Sequence, residues 1–283
     1  FDVSRTTFRS EIFPEYKANR AKTPDEFRSQ MSYLHQLVES FGISTFEIQG
    51  YEADDIIATI TKTAEKEGAQ VLICTGDRDS FQLISEKTTV LYPKRGVSDL
   101  VRMNAPALLE KYGMTPEQYP DFAALRGDPS DNLPSVPGVG EKTAAKWIIE
   151  YGSLKQLLAH VEDLGGKAGQ SLKNCVTDVE RNRELTQLVS NVPIDFTVDS
   201  LAWAGVAEAS VDTLFKTLEF KTLKERMKPI LITSDGAGET KALGSSVEME
   251  RLKKNSQALS HEVLTAEQTS TRIAQHNGEI AIS

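Results

Sequence analysis

The sequence predicts an α/β fold in which helices wrap a parallel sheet over about the first hundred residues, followed by a mainly helical region. Two apolar runs of strand length flank a stretch with helical spacing, which is typical of a β-α-β unit. From about residue 104 to 228, helical segments alternate with Gly and Pro, and only "IDFTV" interrupts them with a strand pattern.

The first long helix is expected to begin after Thr23, because Thr23 is a good N-cap, Pro24 suits the first helical position and Glu26 completes a capping box. Apolar residues then recur at helical spacing: Phe27, Met31, Leu34, Leu37, Val38 and Phe41. The helix should end at Gly42. The run "ISTFEI", residues 43–48, is predicted to be a strand.

A second helix is predicted for residues 53–67, with Ile56, Ile57 and Ile60 facing inward, and "QVLICT", residues 70–75, is predicted to be the next strand. A helix near 79–85 and two short strands, "TTVLY" and "VSDLV", should follow. The helical region is then divided into segments near residues 105–112, 116–125, 140–150, 153–160, 170–190 and 208–226.

Composition excludes several classes of protein. The net charge of -9 argues against a protein that binds nucleic acid through a general positive field, so a phosphate-binding surface must be local. Two distant cysteines and four dispersed histidines favour neither a disulfide framework nor a zinc site. No apolar run is long enough for a membrane span, and the start has no signal-peptide pattern, so a reducing cytoplasm is expected.

Acidic residues follow each predicted strand. Glu52, Asp54 and Asp55 follow one strand, Asp77 and Asp79 follow the next, and Asp2 lies in "FD", which is interpreted as the end of a third strand. Because the carboxyl ends of parallel strands meet at one edge of a sheet, these acids should share a cleft. Asp128 and Asp131, in the loop "RGDPSDNLP", are expected to close over the same edge.

These acids could be ordinary residues of helix starts and turns, or they could be ligands of a metal ion, and electrostatic energies decide between the two. A carboxylate in the first turn of a helix gains only about 0.3 to 1 kcal/mol from the helix dipole. Two carboxylates about 4 Å apart repel each other by roughly 4 kcal/mol at an effective dielectric constant near 20. Several such pairs therefore require a cation, and oxygen ligands alone favour Mg²⁺ or Mn²⁺. The number of acids predicts two metal ions, an arrangement suited to phosphodiester hydrolysis.

Two further motifs could hold DNA. In "PGVGEKTAAK" a Gly-rich turn opens a helix, and its free amides can bind a phosphate of the backbone without reading bases. The candidate residues are Gly138, Gly140, Lys142, Thr143 and Lys146. In "YKANRAK", Tyr16 could stack on an unpaired base, Lys17 could meet the scissile phosphate, and Arg20 adds positive charge. Each motif alone is also compatible with a plain turn or a solvated basic stretch.

Five motifs in order carry a resemblance: "FDVSRTTFRSEIFPEYKANR", "GYEADD", "TGDRDSFQL", "RGDPSDNLP" and "PGVGEKTAAK". Over roughly residues 1–228 the chain resembles the 5′ nuclease domain of bacterial DNA polymerase I, within the flap endonuclease family. The resemblance implies a PIN-like nuclease core, two divalent ions, a helical arch, and a helix-hairpin-helix element that holds duplex DNA with help from K⁺. It implies that Asp2, Glu52, Asp54, Asp55, Asp77, Asp79, Asp128 and Asp131 match the acidic metal cluster.

The resemblance also implies a division of the chain into domains. Residues 1–103 are expected to form the nuclease core with the arch region, and residues 104–228 the helical subdomain with the hairpin. Residues 229–246 are expected to be a linker, and residues 247–283, with a weak helix around 265–275, the start of a proofreading-exonuclease-like domain. The family's first strand, which bears an early metal-binding aspartate, does not match any part of this chain, so a truncated amino terminus is expected.

Three functions follow as hypotheses. The first is a structure-specific 5′ to 3′ exonuclease or flap endonuclease of DNA replication and repair, with Lys17, Asp54 and Asp77 as catalytic residues. Its partners would be DNA with a 5′ flap, a nick or a single-stranded 5′ end, and the polymerase domain of a parent chain, in a monomeric protein at the bacterial nucleoid. The second is a small-molecule phosphohydrolase, because "DRD" follows a strand. The third is a DNA-binding fragment without activity.

Overall fold

The computed structural model describes residues 1–96, 99–227 and 279–282. Its described part divides into two compact units. Unit 1 contains residues 1–22, 46–195 and 279–282, and unit 2 contains residues 23–45 and 196–227. Both units draw on distant parts of the sequence, and this division differs from the predicted domains. The predicted boundaries near 103 and 228 stay predictions, and the predicted linker and the helix at 265–275 lie outside the described residues.

The sheet of unit 1 has four strands in the order β3-β2-β1-β4. These strands are β1 (Gln70–Cys74), β2 (Thr88–Pro93), β3 (Leu100–Met103) and β4 (Glu279–Ile282). β1 pairs in parallel with β2 and with β4, whereas β2 and β3 are antiparallel. The predicted parallel arrangement is confirmed for the central strands, and the sheet as a whole is mixed.

Two strand predictions differ from the structure. Residues 43–48 form no strand, and the backbone near them makes one isolated bridge, between Thr7 and Gly50. Phe1 and Asp2 are likewise not in a strand. The run "EIAI", in the region expected to start a separate domain, forms strand β4, and β4 pairs with β1 of this sheet.

Helices of unit 1 surround the sheet and continue into the helical region. They are α1 (Phe8–Ile12), α4 (Ala53–Lys66), α5 (Ala105–Tyr112), α6 (Tyr119–Arg126), α7 (Glu141–Tyr151), α8 (Leu154–Ala159), α9 (Gly166–Asn174) and α10 (Val176–Thr186). Three 3-10 turns, Arg78–Leu83, Pro116–Gln118 and Val161–Asp163, connect them. The helix predicted near 79–85 is therefore a 3-10 turn, and the single helix predicted over 170–190 is two helices that meet at Cys175.

The core of unit 1 lies between α4 and the sheet and extends under α6. Ile56, Ile57 and Ile60 of α4 are buried, as their spacing predicted, and Val71 and Ile73 of β1 are also buried. An aromatic cluster continues this core, with ring centroids 5.3 to 6.2 Å apart: Phe81, Tyr112, Tyr119 and Phe122. This packing fixes the 3-10 turn that follows β1, which carries the predicted acid Asp79 and is capped by a second, Asp77.

Unit 2 is helical. It contains α2 (Asp25–Arg28), α3 (Met31–Ser40), α11 (Glu208–Thr217), α12 (Lys221–Met227) and a 3-10 turn at Asp199–Leu201. The helix predicted over residues 24–41 is interrupted at Ser29 and Gln30, and Pro24 occupies the cap position in place of Thr23. Within this unit Val211 and Phe215 of α11 pack against Leu37 and Phe41. No described helix of the chain has the length and apolar character that crossing a membrane requires.

Candidate metal centre

The structure brings predicted acids together at the carboxyl end of β1. Asp54 lies in the first turn of α4, and Asp77 and Asp79 lie three and five residues after β1. Asp2 reaches the same place although it is not in a strand, because its Oδ1 accepts a 2.7 Å hydrogen bond from the backbone N–H of Ala53. The expected convergence of separate segments is therefore present.

These acids repel one another. Burial raises the pKa of Asp54 to about 7, with contributions from the charges of Asp77, Glu52 and Asp2. Burial also raises the pKa of Asp79 to about 8, with contributions from Asp77, Asp131 and Asp128. Asp77 acts on both groups, so it joins the two sets of carboxylates into one electrostatic cluster.

A polar cavity of about 380 Å³ opens beside this cluster. Asp77, Asp79 and Asp128 line it together with Arg78 and Arg126. Arg126 lies 4.0 Å from Asp128, whereas Asp54, Asp77 and Asp79 form no ion pair with any residue in the described ranges. The cavity thus offers the carboxylates of Asp77 and Asp79, which form no ion pair with any described residue.

Asp55 was predicted to belong to the metal cluster, and the structure places it in the core instead. Its side chain is fully buried, and both of its oxygens accept hydrogen bonds from the guanidinium of Arg9, at 2.6 and 2.8 Å. The backbone N–H groups of Glu52 and Val189 also donate to it. Because its acceptor positions are filled within the core, Asp55 stabilises the fold and is not available to a metal ion.

Tyr16 was predicted to stack on an unpaired base of DNA, and the structure buries it instead. Only 7% of its surface is exposed, and its ring packs against Leu133 and Leu185, so it cannot stack on a base. Its hydroxyl lies 3.2 Å from Glu52 Oε2 and 3.1 Å from Asp131 Oδ2. Burial and these two negative charges raise the pKa of the phenol, so it keeps its proton and donates to the carboxylates.

Lys17 and Arg20 neutralise the same two acids. Lys17 Nζ lies 2.7 Å from Glu52 Oε1 and 3.8 Å from Asp131 Oδ2, and Arg20 donates to Asp131 Oδ1 at 2.6 Å. The backbone of Lys17 has a φ of 55°, a left-handed conformation that costs free energy in a residue with a side chain. The contact of Lys17 with a scissile phosphate stays a prediction.

The acids suit a hard divalent cation by their chemistry, since a surplus of partly buried carboxylate oxygens is what Mg²⁺ or Mn²⁺ neutralises. Among the described residues, however, no three His, Cys, Asp or Glu side chains converge closely enough to form a preformed metal site. The acids that fit are Asp54, Asp77, Asp79 and Asp128, with Asp2 nearby. Glu52 and Asp131 already have Tyr16, Lys17 and Arg20 as partners, so they are better placed to orient the site than to enclose a cation.

The Gly-rich turn lies directly before α7, as predicted. Gly138 has a φ of 78°, which favours glycine. Gly140 has a φ of -91° and is the N-cap of α7, and a Cβ atom built on it would meet no atom within 4 Å. Neither the backbone nor the packing of the protein therefore requires glycine at position 140. Lys142 and Lys146 are exposed, and Thr143 is half-buried.

Arg9 is the functional residue that sequence reasoning missed. It is 1% exposed, and besides holding Asp55 it donates from Nε to the carbonyl of Leu185 and lies 3.6 Å from Glu52 Oε2. It thereby links α1, the start of α4 and the last turn of α10. The sequence gives no signal for this role, because a single Arg in "TFRSE" is ordinary and its partners lie 46 and 176 residues away.

Comparisons with known proteins agree with this geometry. Two family models match: the N-terminal resolvase-like domain of 5′-3′ exonucleases over residues 1–113, and their C-terminal SAM fold over residues 114–209. DNA polymerase I of Mycobacterium bovis is 53% identical over 236 residues, and the match covers 83% of this chain and 26% of that protein. DNA polymerase I of Bacillus subtilis is 41% identical over 228 residues, which are 80% of this chain and 26% of that protein. The chain thus spans about a quarter of the length of these relatives.

Solved structures give the same result. A bacteriophage T5 5′-exonuclease with bound zinc is 26% identical, with a TM-score of 0.56 over 77% of this chain and 81% of that one. A phage T5 flap endonuclease in a complex with DNA and metal ions is 25% identical, with a TM-score of 0.57 over 77% of this chain and 82% of that one. The catalytic core of Rad2 with DNA, at 15% identity, has a TM-score of 0.52 over 80% of this chain and 74% of that one, and shows a shared fold.

Proposed function

The chain belongs to the 5′-3′ exonuclease family, and from this membership we propose that it is a metal-dependent nuclease that hydrolyses phosphodiester bonds of DNA. The observation that carries the proposal is the cluster of Asp54, Asp77 and Asp79, whose carboxylates lie at one edge of the sheet and form no ion pair with any described residue. A site of this kind suits a reaction at a phosphate group that is assisted by a bound cation. Without a bound cation, the carboxylates would repel the negatively charged phosphate.

Divalent cations are the cofactor of this proposal, and Mg²⁺ or Mn²⁺ fits the oxygen ligands. Asp54, Asp77, Asp79 and Asp128 would hold them, with Asp2 at the margin. Two ions are expected because the carboxylates exceed what a single octahedral ion takes from a protein. Bound there, the cations would activate a water molecule and stabilise the leaving oxygen.

The residues of the chain itself have separate tasks. Lys17 is poised at the acidic site and can exchange its contact with Glu52 for one with the phosphate that is cleaved. Tyr16 and Arg20 hold Glu52 and Asp131 in place. The amides around Gly140 and the ammonium groups of Lys142 and Lys146 are free to hold the phosphate backbone of the duplex, and K⁺ at this turn belongs to the proposal.

The substrate and setting are proposed from the relatives. DNA with a 5′ flap, a nick or a single-stranded 5′ end is the substrate class, since a phage T5 relative is a flap endonuclease and was solved with DNA. The relatives described above are bacterial DNA polymerases I, so a polymerase domain within a longer chain is the proposed partner. The proposed location is the bacterial cytoplasm, at the nucleoid. A monomer is proposed.

Cleavage of a labelled 5′-flap substrate in the presence of Mg²⁺ tests the proposal. Asp54→Asn combined with Asp77→Asn should abolish cleavage and leave duplex binding intact, because these carboxylates serve the cation and not the DNA backbone. Asp163→Asn combined with Asp199→Asn is the matched control, since both side chains are exposed acids on 3-10 turns and neither belongs to the acidic cluster. Retained turnover in the first double variant refutes the assignment of the metal centre.

Two other outcomes decide between classes of function. Hydrolysis of a simple phosphate ester without cleavage of the flap would favour a small-molecule phosphohydrolase. Binding of the flap without cleavage, at any divalent cation concentration, would favour a DNA-binding fragment without activity.

A further inference from the structure

Residues 182–189, at the end of α10 and directly after it, contact each of the three segments that carry the acids of the candidate metal centre. These three segments are the start of α4, the 3-10 turn Arg78–Leu83 and the loop 127–135. We call residues 182–189 the anchoring segment. The acids come from separate parts of the chain, so their spacing depends on whatever joins these segments.

The first contact of the anchoring segment is with the start of α4. Arg9 Nε donates to the carbonyl of Leu185 at 2.8 Å, and the backbone N–H of Val189 donates to Asp55 Oδ1 at 2.9 Å. Because Arg9 and Asp55 also bind each other, the ion pair is held at both ends of the anchoring segment. The helix turn that carries Asp54 is thereby fixed against this segment.

The second contact is with the 3-10 turn that carries Asp79. Gln82 lies in this turn, and its Nε2 donates to the carbonyl of Thr186 at 2.9 Å. Its Oε1 accepts from the backbone N–H of Leu188 at 3.0 Å and from Gln187 Nε2 at 2.9 Å. Both ends of the amide are used, so this one side chain fixes the turn against the anchoring segment.

The third contact is with the stem of the loop that carries Asp128 and Asp131. Asn182 is fully buried, and its Nδ2 donates to the carbonyls of Ala124 and Pro134 at 3.1 and 2.8 Å. Ala124 lies before the loop, in the last turn of α6, where carbonyls have no partner within the helix, and Pro134 lies on the returning limb. One amide therefore joins the two limbs of the stem.

The loop stem is closed, so its position is passed on to the acids. The N–H of Asp128 donates to the carbonyl of Leu133 at 3.1 Å, and the N–H of Leu133 donates back to Asp128 at 2.8 Å. Gly127 has a φ of 69°, and a Cβ atom there would lie 2.6 Å from the backbone nitrogen of Ser135, so the two limbs touch. A displacement of the stem therefore moves the loop and its acids together.

Asn182 is a costly residue for packing alone. Its Oδ1 is buried and has no hydrogen-bond partner in the part of the chain that the structure describes. A buried acceptor without a partner destabilises the folded state, whereas an apolar side chain would avoid that loss. The contribution of Asn182 therefore lies in the two hydrogen bonds that its amide donates to the stem.

We infer that Asn182 and Gln82 are positioning residues of the metal centre, which act through the anchoring segment to hold the acid-bearing segments at the spacing that a divalent cation requires. Neither side chain lines the acidic cavity, so neither is a ligand. The inference rests on the proposed metal centre and deepens it, because it explains how acids from three segments are kept at one place.

Mn²⁺ titration of the full chain, followed by electron paramagnetic resonance, tests the inference. Gln82→Met and Asn182→Leu remove the amides and keep side chains of similar shape. Each should weaken Mn²⁺ binding about five- to twentyfold, because residues that orient metal ligands act on affinity at this scale. Thermal unfolding identifies conditions in which every variant is folded, and Asn182→Ala is a second removal of the amide if Asn182→Leu does not fold.

Flap cleavage at increasing Mg²⁺ concentration separates positioning from a loss of stability. In the Gln82 and Asn182 variants the Mg²⁺ concentration for half-maximal rate should rise by the same factor as the Kd for Mn²⁺. The KM for the flap should change less than about twofold, because neither residue is a candidate contact of the DNA backbone. A variant that is only less stable keeps the Mg²⁺ midpoint of the parent chain wherever it is folded.

Gln118→Met is the matched control for Gln82→Met. Gln118 is also half-buried, its Nε2 donates to the carbonyl of Gly152 at 2.9 Å, and its Oε1 accepts from the N–H of Thr115 at 3.1 Å. It joins two segments that carry none of the acids. Its loss should leave Mn²⁺ affinity within about twofold of the parent chain, since distant sites act independently.

Thr186→Val is the matched control for Asn182→Leu. It removes a buried hydroxyl from the same helix, α10, and leaves the backbone carbonyl that Gln82 contacts. Its Mn²⁺ affinity should equal that of the parent chain. Parent-like Mn²⁺ affinity in both amide variants would overturn the inference, and so would losses of the same size in the two controls.

The outcome is separable from that of the proposed function. If the chain cleaves a flap and the amide variants bind Mn²⁺ like the parent chain, the nuclease proposal stands and the positioning inference fails. If the parent chain binds Mn²⁺ but cleaves no substrate, while the amide variants lose Mn²⁺ affinity and the controls do not, the positioning inference stands and the nuclease proposal fails.

Discussion

Arg9 and Asp55 form a buried bidentate ion pair that joins α1 to the first turn of α4. Both side chains are at most 1% exposed, and the two N–H···O distances are 2.6 and 2.8 Å. Asp55 also accepts from the backbone of Glu52, and Arg9 lies 3.6 Å from the Glu52 carboxylate. The pair therefore sets the position of Glu52 at the edge of the proposed metal centre, and its own hydrogen bonds leave Asp55 no free acceptor for a cation.

Asp55→Asn should lower the free energy of unfolding by about 3 to 5 kcal/mol, because it leaves the guanidinium of Arg9 buried without its counter-charge. Urea denaturation measures the loss. Asp25→Asn is the control, since Asp25 pairs with Arg28 on the surface and its removal should change stability by less than about 0.5 kcal/mol. Unchanged stability together with weakened Mn²⁺ binding would return Asp55 to the metal cluster.

Tyr16→Phe should weaken divalent-ion binding about tenfold or more, because the phenol that orients Glu52 and Asp131 is lost while the ring still fills its site. Binding of a duplex in EDTA should be unchanged. Titration of Mn²⁺ by electron paramagnetic resonance, with and without DNA, measures both effects. Tyr151→Phe, at the end of α7, is the matched control. Unchanged Mn²⁺ affinity in Tyr16→Phe would contradict the role of its hydroxyl in orienting Glu52 and Asp131.

Gly140→Ala should weaken duplex binding while costing less than about 1 kcal/mol of stability, since the backbone there suits any residue and a Cβ atom meets nothing. The comparison is Gly113→Ala. Gly113 has a φ of 73°, and its Cβ would lie 2.9 Å from Ile149 Cδ1, so this variant should lose stability. Thermal unfolding and anisotropy with a blunt duplex separate the two effects. Normal duplex binding by Gly140→Ala would contradict the proposed backbone contact.

Stability in EDTA should fall as pH rises from about 5 to about 8. The pKa of Asp54 is raised to about 7 and that of Asp79 to about 8, so the folded protein holds protons that the unfolded chain has already released. When the folded state binds more protons, raising the pH favours unfolding. Added Mg²⁺ should stabilise the protein more at pH 8 than at pH 5, because it binds the deprotonated carboxylates.

Urea midpoints at several pH values measure this dependence. Asp79→Asn should flatten it, and Asp163→Asn, which removes an exposed acid, should leave it as in the parent chain. An unchanged slope in Asp79→Asn would show that the loss of stability comes from the general negative charge of the protein and not from the acidic cluster.

The sequence alone was sufficient where the signal is local. Helical spacing located α4 and α5, and alternation and β-branched residues located β1 and β2, because these patterns depend on neighbouring residues. The proximity of Asp54 to Asp77 and Asp79 could also be predicted from the sequence. It requires only that α4 begins, and β1 ends, at the same edge of the sheet.

Tertiary structure decided what each side chain in the cluster does. Asp54 and Asp55 are adjacent and chemically identical, yet Asp55 is taken by Arg9 from 46 residues away and Asp54 is left facing other carboxylates. Tyr16 points into the core, where its hydroxyl lies within hydrogen-bond distance of Glu52 and Asp131.

The strand predicted at residues 43–48 is absent for a related reason. In the predicted β-α-β unit this strand would pair with β1, but β1 already has β2 on one side and β4 on the other. Local patterns in the sequence record which residues favour a strand, a helix or a buried site. Which distant groups supply the hydrogen bonds and counter-charges is settled only when the chain folds.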